Sequence, residues 1–351
     1  MELLEQTKAR ISGQNESLRE AARQHLDELI MPPWSMGRVM DLALDLVGIT
    51  GNLKPRFDRR AVVLMAADHG VAEEGVSNFP QKATLQMVMS YLHNQAGCNA
   101  MAAVARAEVV VVNMGILPDL PAEAKGRVIE LSVARGTANM TKGPAMTREQ
   151  AIHAVENGIR VAQQLSKDFD LFVTAEMGIG NTTASSAIYA SLCECGAAMV
   201  TGRGSGITPK KRDHKLQVVE QALRINQPDR RDGLDVLAKV GGFEIGGLVG
   251  LILGAAAERK PILIDGFIST AAALIAQAIS PISAQYMIAT HGSAESGHKI
   301  AMEKLGKEPL LNLNLRLGEG TGASLAVPLV EAASRLRSDV ATFDQAGVSR
   351  Q

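Results

Sequence analysis

Apolar positions at spacings of three and four open the chain. Across residues 3–30 a charged stretch carries Leu18, Ala21, Ala22, His25, Leu26 and Leu29 in that rhythm, which predicts a helix ended by Pro32 and Pro33. Residues 37–49 repeat the pattern with Val39, Leu42, Leu46 and Val47 on one side, and Gly51 marks the end. The rhythm then changes. Residues 61–66 are a short apolar run followed at once by Asp68, His69 and Gly70, the form of a buried strand ending in a polar turn. The same form recurs at 108–113 before Met114 and Gly115, at 170–174 before Glu176, at 261–264 before Asp265 and Gly266, and at 285–289 before Thr290 and His291.

Helical patterns separate these runs. One starts at Thr147, whose spacing to Gln150 is that of a capping box, and shows Ile152, Val155, Ile159 and Ala162 on one face. Others follow Asn181 and span 211–225, and residues 268–279 are apolar nearly all round, as in a buried helix. Strands alternating with helices predict an α/β fold: a doubly wound, mostly parallel, Rossmann-like sheet flanked by helices, with ligands beyond the carboxyl ends of the strands.

Composition narrows the class. With 351 residues, 46% hydrophobic and 21% charged, the chain has the profile of a folded globular protein able to bury a large core. Seven Phe, three Tyr and one Trp against 33 Gly indicate helices packed closely by small residues. A net charge of −1 without a basic run gives no footprint for nucleic acid or an anionic membrane, so a small ligand is the expected partner. Cys98, Cys193 and Cys195 are too few for a disulfide framework, and Cys193 and Cys195 lack a second pair for a metal. The charged N-terminus is no signal peptide, and the apolar stretches 246–257 and 268–279 fall short of a bilayer span. A cytoplasmic protein is expected.

Candidate chemistry gathers where the strands end. "TAEMGIGNTT", from Thr174, joins a carboxylate to Gly178, Gly180, Asn181, Thr182 and Thr183 at a helix start, the parts of an oxyanion site. It is neither a Walker A loop nor a dinucleotide G-x-G-x-x-G, because Thr183 stands where the third glycine would be. A plain helix cap is an equal reading. "TGRGSGITPKKRDHK", from Thr201, sets Gly202, Gly204, Ser205 and Gly206 beside Arg203, Lys211, Arg212 and Lys215, suited to a phosphate or to a solvated basic loop. "RLGEGTGA", from Arg316, brackets Glu319 between Gly318 and Gly320; a phosphate cradle, a mount for one carboxylate and an ordinary turn are all open. His291 and His298 could share a helical face, with capping favoured over metal, and Asp68 with His69 reads as a hydrogen-bonded structural pair. Without G-x-S-x-G, acyl-transfer hydrolysis has no support.

These segments, with "PPWSMGRVMDLA" from Pro32, "ADHGVAEEGVSNFP" from Ala67, "GTANMTKGPAMT" from Gly136, "GGFEIGGL" from Gly241, "DGFIS" from Asp265 and "HGSAESGH" from His291, occur in an order that resembles the nicotinate-nucleotide:dimethylbenzimidazole phosphoribosyltransferases over nearly the whole chain. The resemblance implies transfer of a 5-phosphoribosyl group from nicotinate mononucleotide to a benzimidazole-type base, with inversion at the anomeric carbon, in cobalamin nucleotide-loop assembly. It implies a homodimer, no cofactor, no metal, and a large α/β domain over 58–310 with a small helical domain from both chain ends, 1–57 and 311–351.

Residue by residue, it implies Glu319 as the general base and Glu176 as a second acidic group on the ribose or assisting the base. Gly178, Gly180, Asn181, Thr182, Thr183, Gly204 and Lys215 are the implied phosphate and ribose contacts; Ser77, Phe79, Gln86, Met177 and Leu317 are the implied base pocket. Phe79 replaces a tyrosine, Asn113 an aspartate, and Asn312 and Asn314 an aspartate and an apolar residue, which leaves base preference open. Two readings compete with transfer. One is a nucleotide N-glycosidase, disfavoured by apolar Phe79, Met177 and Leu317; the other is a non-catalytic nucleotide-binding regulator.

Overall fold

A computed structural model describes residues 1–204 and 206–349, so Ser205 of the second glycine cluster lies outside the described residues. Six strands form one parallel sheet: β1 (Arg60–Ala67), β2 (Glu108–Gly115), β3 (Val128–Glu130), β4 (Leu171–Met177), β5 (Ile262–Ile264) and β6 (Met287–Ala289), in the order β3-β2-β1-β4-β5-β6. A separate parallel pair joins β7 (His291–Ser293) to β8 (Leu311–Leu315). The doubly wound expectation holds, and the five expected strands are β1, β2, β4, β5 and β6. Strand β3, at the sheet edge, and the β7–β8 pair went unread. β8 is the polar sequence LNLNL and largely exposed, so it has no apolar run to announce it.

Every residue of β1 is buried, and alternate side chains enter two cores. Ala61, Val63, Met65 and Ala67 meet the helices Arg148–Leu165, Asn181–Leu192, Phe243–Ala257 and Phe267–Ile279. Val62, Leu64 and Ala66 meet Glu16–Asp27, Arg38–Thr50, Gly97–Val104 and Thr321–Asp339. The N-terminal stretch read as one helix is two. Helix Glu2–Arg10 ends at an extended Ile11, and Asn15 caps the next by accepting the Leu18 N–H at 3.0 Å. Leu4 and Ile11 belong to the first core, whereas Glu16–Asp27 and Arg38–Thr50 pack with Thr321–Asp339 in the second. The Thr147–Gln150 capping box is present, at 3.2 and 3.0 Å. Among the described residues no helix is long and apolar enough to cross a membrane.

The small-residue composition is used most heavily where Arg148–Leu165 crosses Phe243–Ala257. A Cβ on Gly158 would strike the Gly247 carbonyl, and one on Gly250 would strike the Val155 carbonyl, so the two backbones touch. That crossing sets how deep the second helix lies, and its first turn carries Glu244. Gly250→Ala has no flexible neighbour to displace. We expect it to lower stability by about 2–3 kcal/mol, the scale of overpacking a dense core, read as a lower urea midpoint with unchanged slope.

Candidate active site

The strand order places a topological switch between β1 and β4: the chain leaves β1 towards β2 and β4 towards β5. The crevice at their carboxyl ends collects Asp68 and His69 after β1 and Glu176 and Met177 at the end of β4, where Met65 pairs with Glu176 and Ala66 with Met177.

Over this crevice stands the turn from Gly318 to Gly320, whose φ values are +85°, +59° and +75°. Three successive left-handed residues need glycine where a side chain would collide. A Cβ on Gly318 would lie 2.6 Å from Glu176 Oε1, and one on Gly320 2.8 Å from the Ala175 Cβ. Glu319 takes the conformation without being glycine, at a cost of about 1–2 kcal/mol. Hydrogen bonds hold it there. Asp265, buried just after β5, accepts the Gly320 N–H at 3.0 Å and the Ala323 N–H at 2.9 Å; Glu176 Oε1 accepts the Glu319 N–H at 3.2 Å. Asp265 thus caps helix Thr321–Asp339 from another strand, with its charge at the helix's positive end.

The Glu319 side chain is 8% exposed, and burial pushes its carboxyl up to about 7. The nearby Tyr91 hydroxyl works against that rise and the Asp265 charge adds to it. The Tyr91 hydroxyl is buried beside Glu319 and has no hydrogen-bond partner of normal geometry among the described residues. Glu176 is also held up, first by burial; the Glu319 amide opposes this, while Asp265, Glu319 and Glu244 reinforce it. Its Oε2 accepts from Asn181 Nδ2, so both oxygens have donors.

Asp68 and His69, read as a pair, face different partners. Asp68 Oδ2 accepts the Leu117 N–H at 2.8 Å, and His69 Nε2 donates to Glu244 Oε1 at 2.6 Å, with His69 and Glu244 both fully buried. Burial alone would lower the His69 pKa, but the charge of Glu244 and its hydrogen bond outweigh it and raise the value. Gly178 closes over this pair: a Cβ there would be 2.5 Å from the Ala67 carbonyl oxygen and 3.1 Å from Glu244 Oε1.

Gly180, at φ +102°, precedes helix Asn181–Leu192. Of the three polar residues after it, Asn181 turns inward to Glu176 and Thr183 is wholly buried, its hydroxyl without a partner among the described residues. Thr182 Oγ1 accepts from Lys215 Nζ at 2.8 Å. Lys215, on helix Pro209–Asn226, is 1% exposed, and burial lowers its pKa to about 8. Gly204, at φ +49°, adjoins both: a Cβ on it would lie 3.0 Å from Thr182 Oγ1 and 3.3 Å from Lys215 Nζ.

The side chains read as a base pocket are more open. Phe79 is 56% and Leu317 60% exposed, Gln86 is exposed, and Ser77 and Met177 are half-buried. Ser77 Oγ accepts the Phe79 N–H at 3.1 Å. Helix Ala83–Leu92, which carries Gln86 and Tyr91, is tied to the Gly178–Gly180 loop by Thr84 Oγ1, which accepts the Ile179 N–H at 3.2 Å. His291 and His298 share no helical face. His291 lies on β7 with Nδ1 3.8 Å from Asp265 Oδ1 and its ring against Gly322; His298 opens helix His298–Leu305 and its Nδ1 accepts the Ser293 N–H at 3.1 Å. They brace the Asp265 region.

Sequence reasoning placed Asp265 at a strand end without a role, and did not single out Glu244 or Tyr91. Their partners lie 55, 175 and more than 200 residues away in sequence, so only a residue type at a strand end signalled the first.

Comparison with known proteins agrees with this architecture. Residues 11–348 match a family model described as phosphoribosyltransferase. The nicotinate-nucleotide–dimethylbenzimidazole phosphoribosyltransferase of Syntrophotalea carbinolica is 57% identical over 100% of this chain and 99% of its own length; that of Desulfotalea psychrophila is 49% identical over 99% of each. The crystal structure of the Thermus thermophilus enzyme of the same name superposes with a TM-score of 0.90 at 39% identity, covering 96% of this chain and all of its own. Full-length similarity of this degree, on a fold whose strand order and crevice are those described, means that the chain belongs to the nicotinate-nucleotide:dimethylbenzimidazole phosphoribosyltransferase family.

Proposed function

We propose that the protein transfers the 5-phosphoribosyl group of nicotinate mononucleotide to 5,6-dimethylbenzimidazole or a related base, giving an α-ribazole 5′-phosphate and nicotinate in cobalamin nucleotide-loop assembly. The observation that carries the mechanism is Glu319: a buried carboxyl with its pKa raised to about 7, fixed on a left-handed turn over the β1/β4 crevice.

The acceptor ring attacks the anomeric carbon with the lone pair of one nitrogen. A C–N bond forms on the face opposite the leaving nicotinate, whose glycosidic bond breaks with its electron pair returning to the pyridine nitrogen. Nicotinate needs no acid, because its pyridinium becomes a neutral ring on leaving. Positive charge instead develops on the acceptor, and Glu319 removes the proton from its second nitrogen. A base positioned in this way contributes about 10²- to 10⁴-fold. Glu176 holds the Glu319 amide and faces the ribose side of the crevice in this reading. Thr182, Gly204 and Lys215, with Gly178 and Gly180, seat the phosphate; Asn181 and Thr183 act from behind by orienting Glu176 and packing the helix start. Ser77, Phe79, Gln86, Met177 and Leu317 border the acceptor base. A homodimer working in the cytoplasm belongs to the same proposal.

Incubation with nicotinate mononucleotide tests the reaction class. Nicotinate should appear only when dimethylbenzimidazole is present; release into water without it would mean a hydrolase, and no release in either case a binding protein. Glu319→Gln should lower kcat by about 10²-fold or more while the KM for nicotinate mononucleotide stays within a few-fold; near wild-type turnover would remove Glu319 from the role of base. Because the base must be ionised, kcat/KM should climb with pH through an apparent pKa near 7 and level off above it. A profile flat from about pH 5.5 to 8 would contradict a buried carboxyl as the proton acceptor.

A further inference from the structure

Glu295 lies on the turn between β7 and helix His298–Leu305, outside every role assigned above. Its carboxylate reaches into the loop from Gly202 to Gly204: Oε2 accepts the Gly204 N–H at 3.2 Å, and a Cβ on Gly202 would collide with the same oxygen. The Glu295 N–H donates to Ser293 Oγ at 3.3 Å, and its carbonyl accepts the His298 N–H at 3.3 Å, so the backbone that aims the side chain is fixed at both ends. Beside it, Lys215 is buried with one hydrogen bond among the described residues, to Thr182 Oγ1, and no carboxylate within ion-pair distance. A buried ammonium with two donors to spare and a glycine amide already covered by an internal anion form a seat that is half filled.

We propose that Glu295 is the internal occupant of the phosphate seat: its carboxylate covers the Gly204 amide in the free protein and is displaced by the 5′-phosphate, so that only a ligand anion strong enough to expel it is admitted. This rests on the assignment of Gly204 and Lys215 to the phosphate. A carboxylate and a phosphate oxygen cannot share one N–H, and two anions a few ångströms apart beside a low-dielectric wall repel strongly. Rotation of the Glu295 side chain clears the amide without moving its anchored backbone. The exchange is uneven in the phosphate's favour. A dianion takes the Gly204 N–H and the unused Lys215 donors together, whereas the carboxylate hydrogen-bonds only the first and meets Lys215 through charge at longer range. A nucleoside with an uncharged 5′-hydroxyl cannot make the exchange, so Glu295 adds discrimination for the nucleotide through an element that repels the wrong ligand as well as through contacts to the right one.

The test uses Glu295→Gln, which keeps the shape and removes the charge, and Glu295→Ala, which empties the seat. Each should lower the KM for nicotinate mononucleotide and the Kd for inorganic phosphate by about three- to tenfold, the scale of one charge-assisted hydrogen bond, with the KM for dimethylbenzimidazole unmoved. Lys215→Met should weaken both anions in the wild-type and the Glu295→Gln backgrounds alike. If Lys215→Met weakens binding but the Glu295 variants leave affinity unchanged or reduce it, Glu295 braces the loop or contacts substrate and the proposal is overturned alone. If Lys215→Met leaves the KM unchanged, the seat itself is wrongly placed and both readings fall. Thermal melts with and without phosphate give a second readout that does not depend on turnover: the phosphate-induced rise in Tm should be larger in Glu295→Gln than in wild type, and an equal or smaller rise counts against displacement.

Discussion

The Asp265 carboxylate, buried at the end of β5, is the point on which the site depends. It accepts two amides of the turn and helix that present Glu319, and without it three consecutive left-handed residues would have little to hold them. The constraint is electrostatic as well as geometric. Asp68, Glu176, Glu244, Asp265 and Glu319 all lie buried around one crevice, and that concentration of acids is sustained because each has a donor or a shifted pKa. Backbone amides serve Asp68, Glu176 and Asp265; the His69 ring serves Glu244. Burial raises Asp68 and Glu176 despite their amides, and it raises Glu319, with no amide on its carboxylate among the described residues, to about 7.

What the sequence makes legible follows from how each feature is encoded. Residues 61–66 read as a strand because both faces are buried and every position is apolar. β8 did not, because LNLNL sits mostly in solvent and its pairing with β7 owes nothing to a core. The glycine bracket of Glu319 was visible as composition, but the reason for Gly318, a Glu176 oxygen where its Cβ would be, joins residues 142 positions apart and has no local trace. A still longer separation, 175 positions, hid Glu244 behind His69. Asp68, the neighbour in sequence, was the nearer guess, and the fold pointed the two side chains to different partners. The order of motifs still carried the family, because order survives where individual contacts cannot be read.

Packing far from the chemistry reaches the site through one helix. Phe243–Ala257 crosses Arg148–Leu165 at backbone contact through Gly158 and Gly250, and its first turn delivers Glu244 beneath His69. Gly178 and Gly242 leave no room above and beside that pair. The depth of the helix, set by small residues, therefore fixes the height of the His69 ring on which the Gly178–Gly180 loop rests.

The long reach of Asp265 also bears on the order in which the molecule is made. A chain emerging from the ribosome has all six strands of its sheet by Ala289, with Asp265 already at the end of β5, yet the amides of Gly320 and Ala323 that neutralise it have not been synthesised. Until the stretch from Thr290 to Ala323 follows, Asp265 lacks both of those amides and the turn that carries Glu319 is missing. The turn that carries Glu319 and the helix that fills the second core, Thr321–Asp339, thus arrive together, after the sheet they cover.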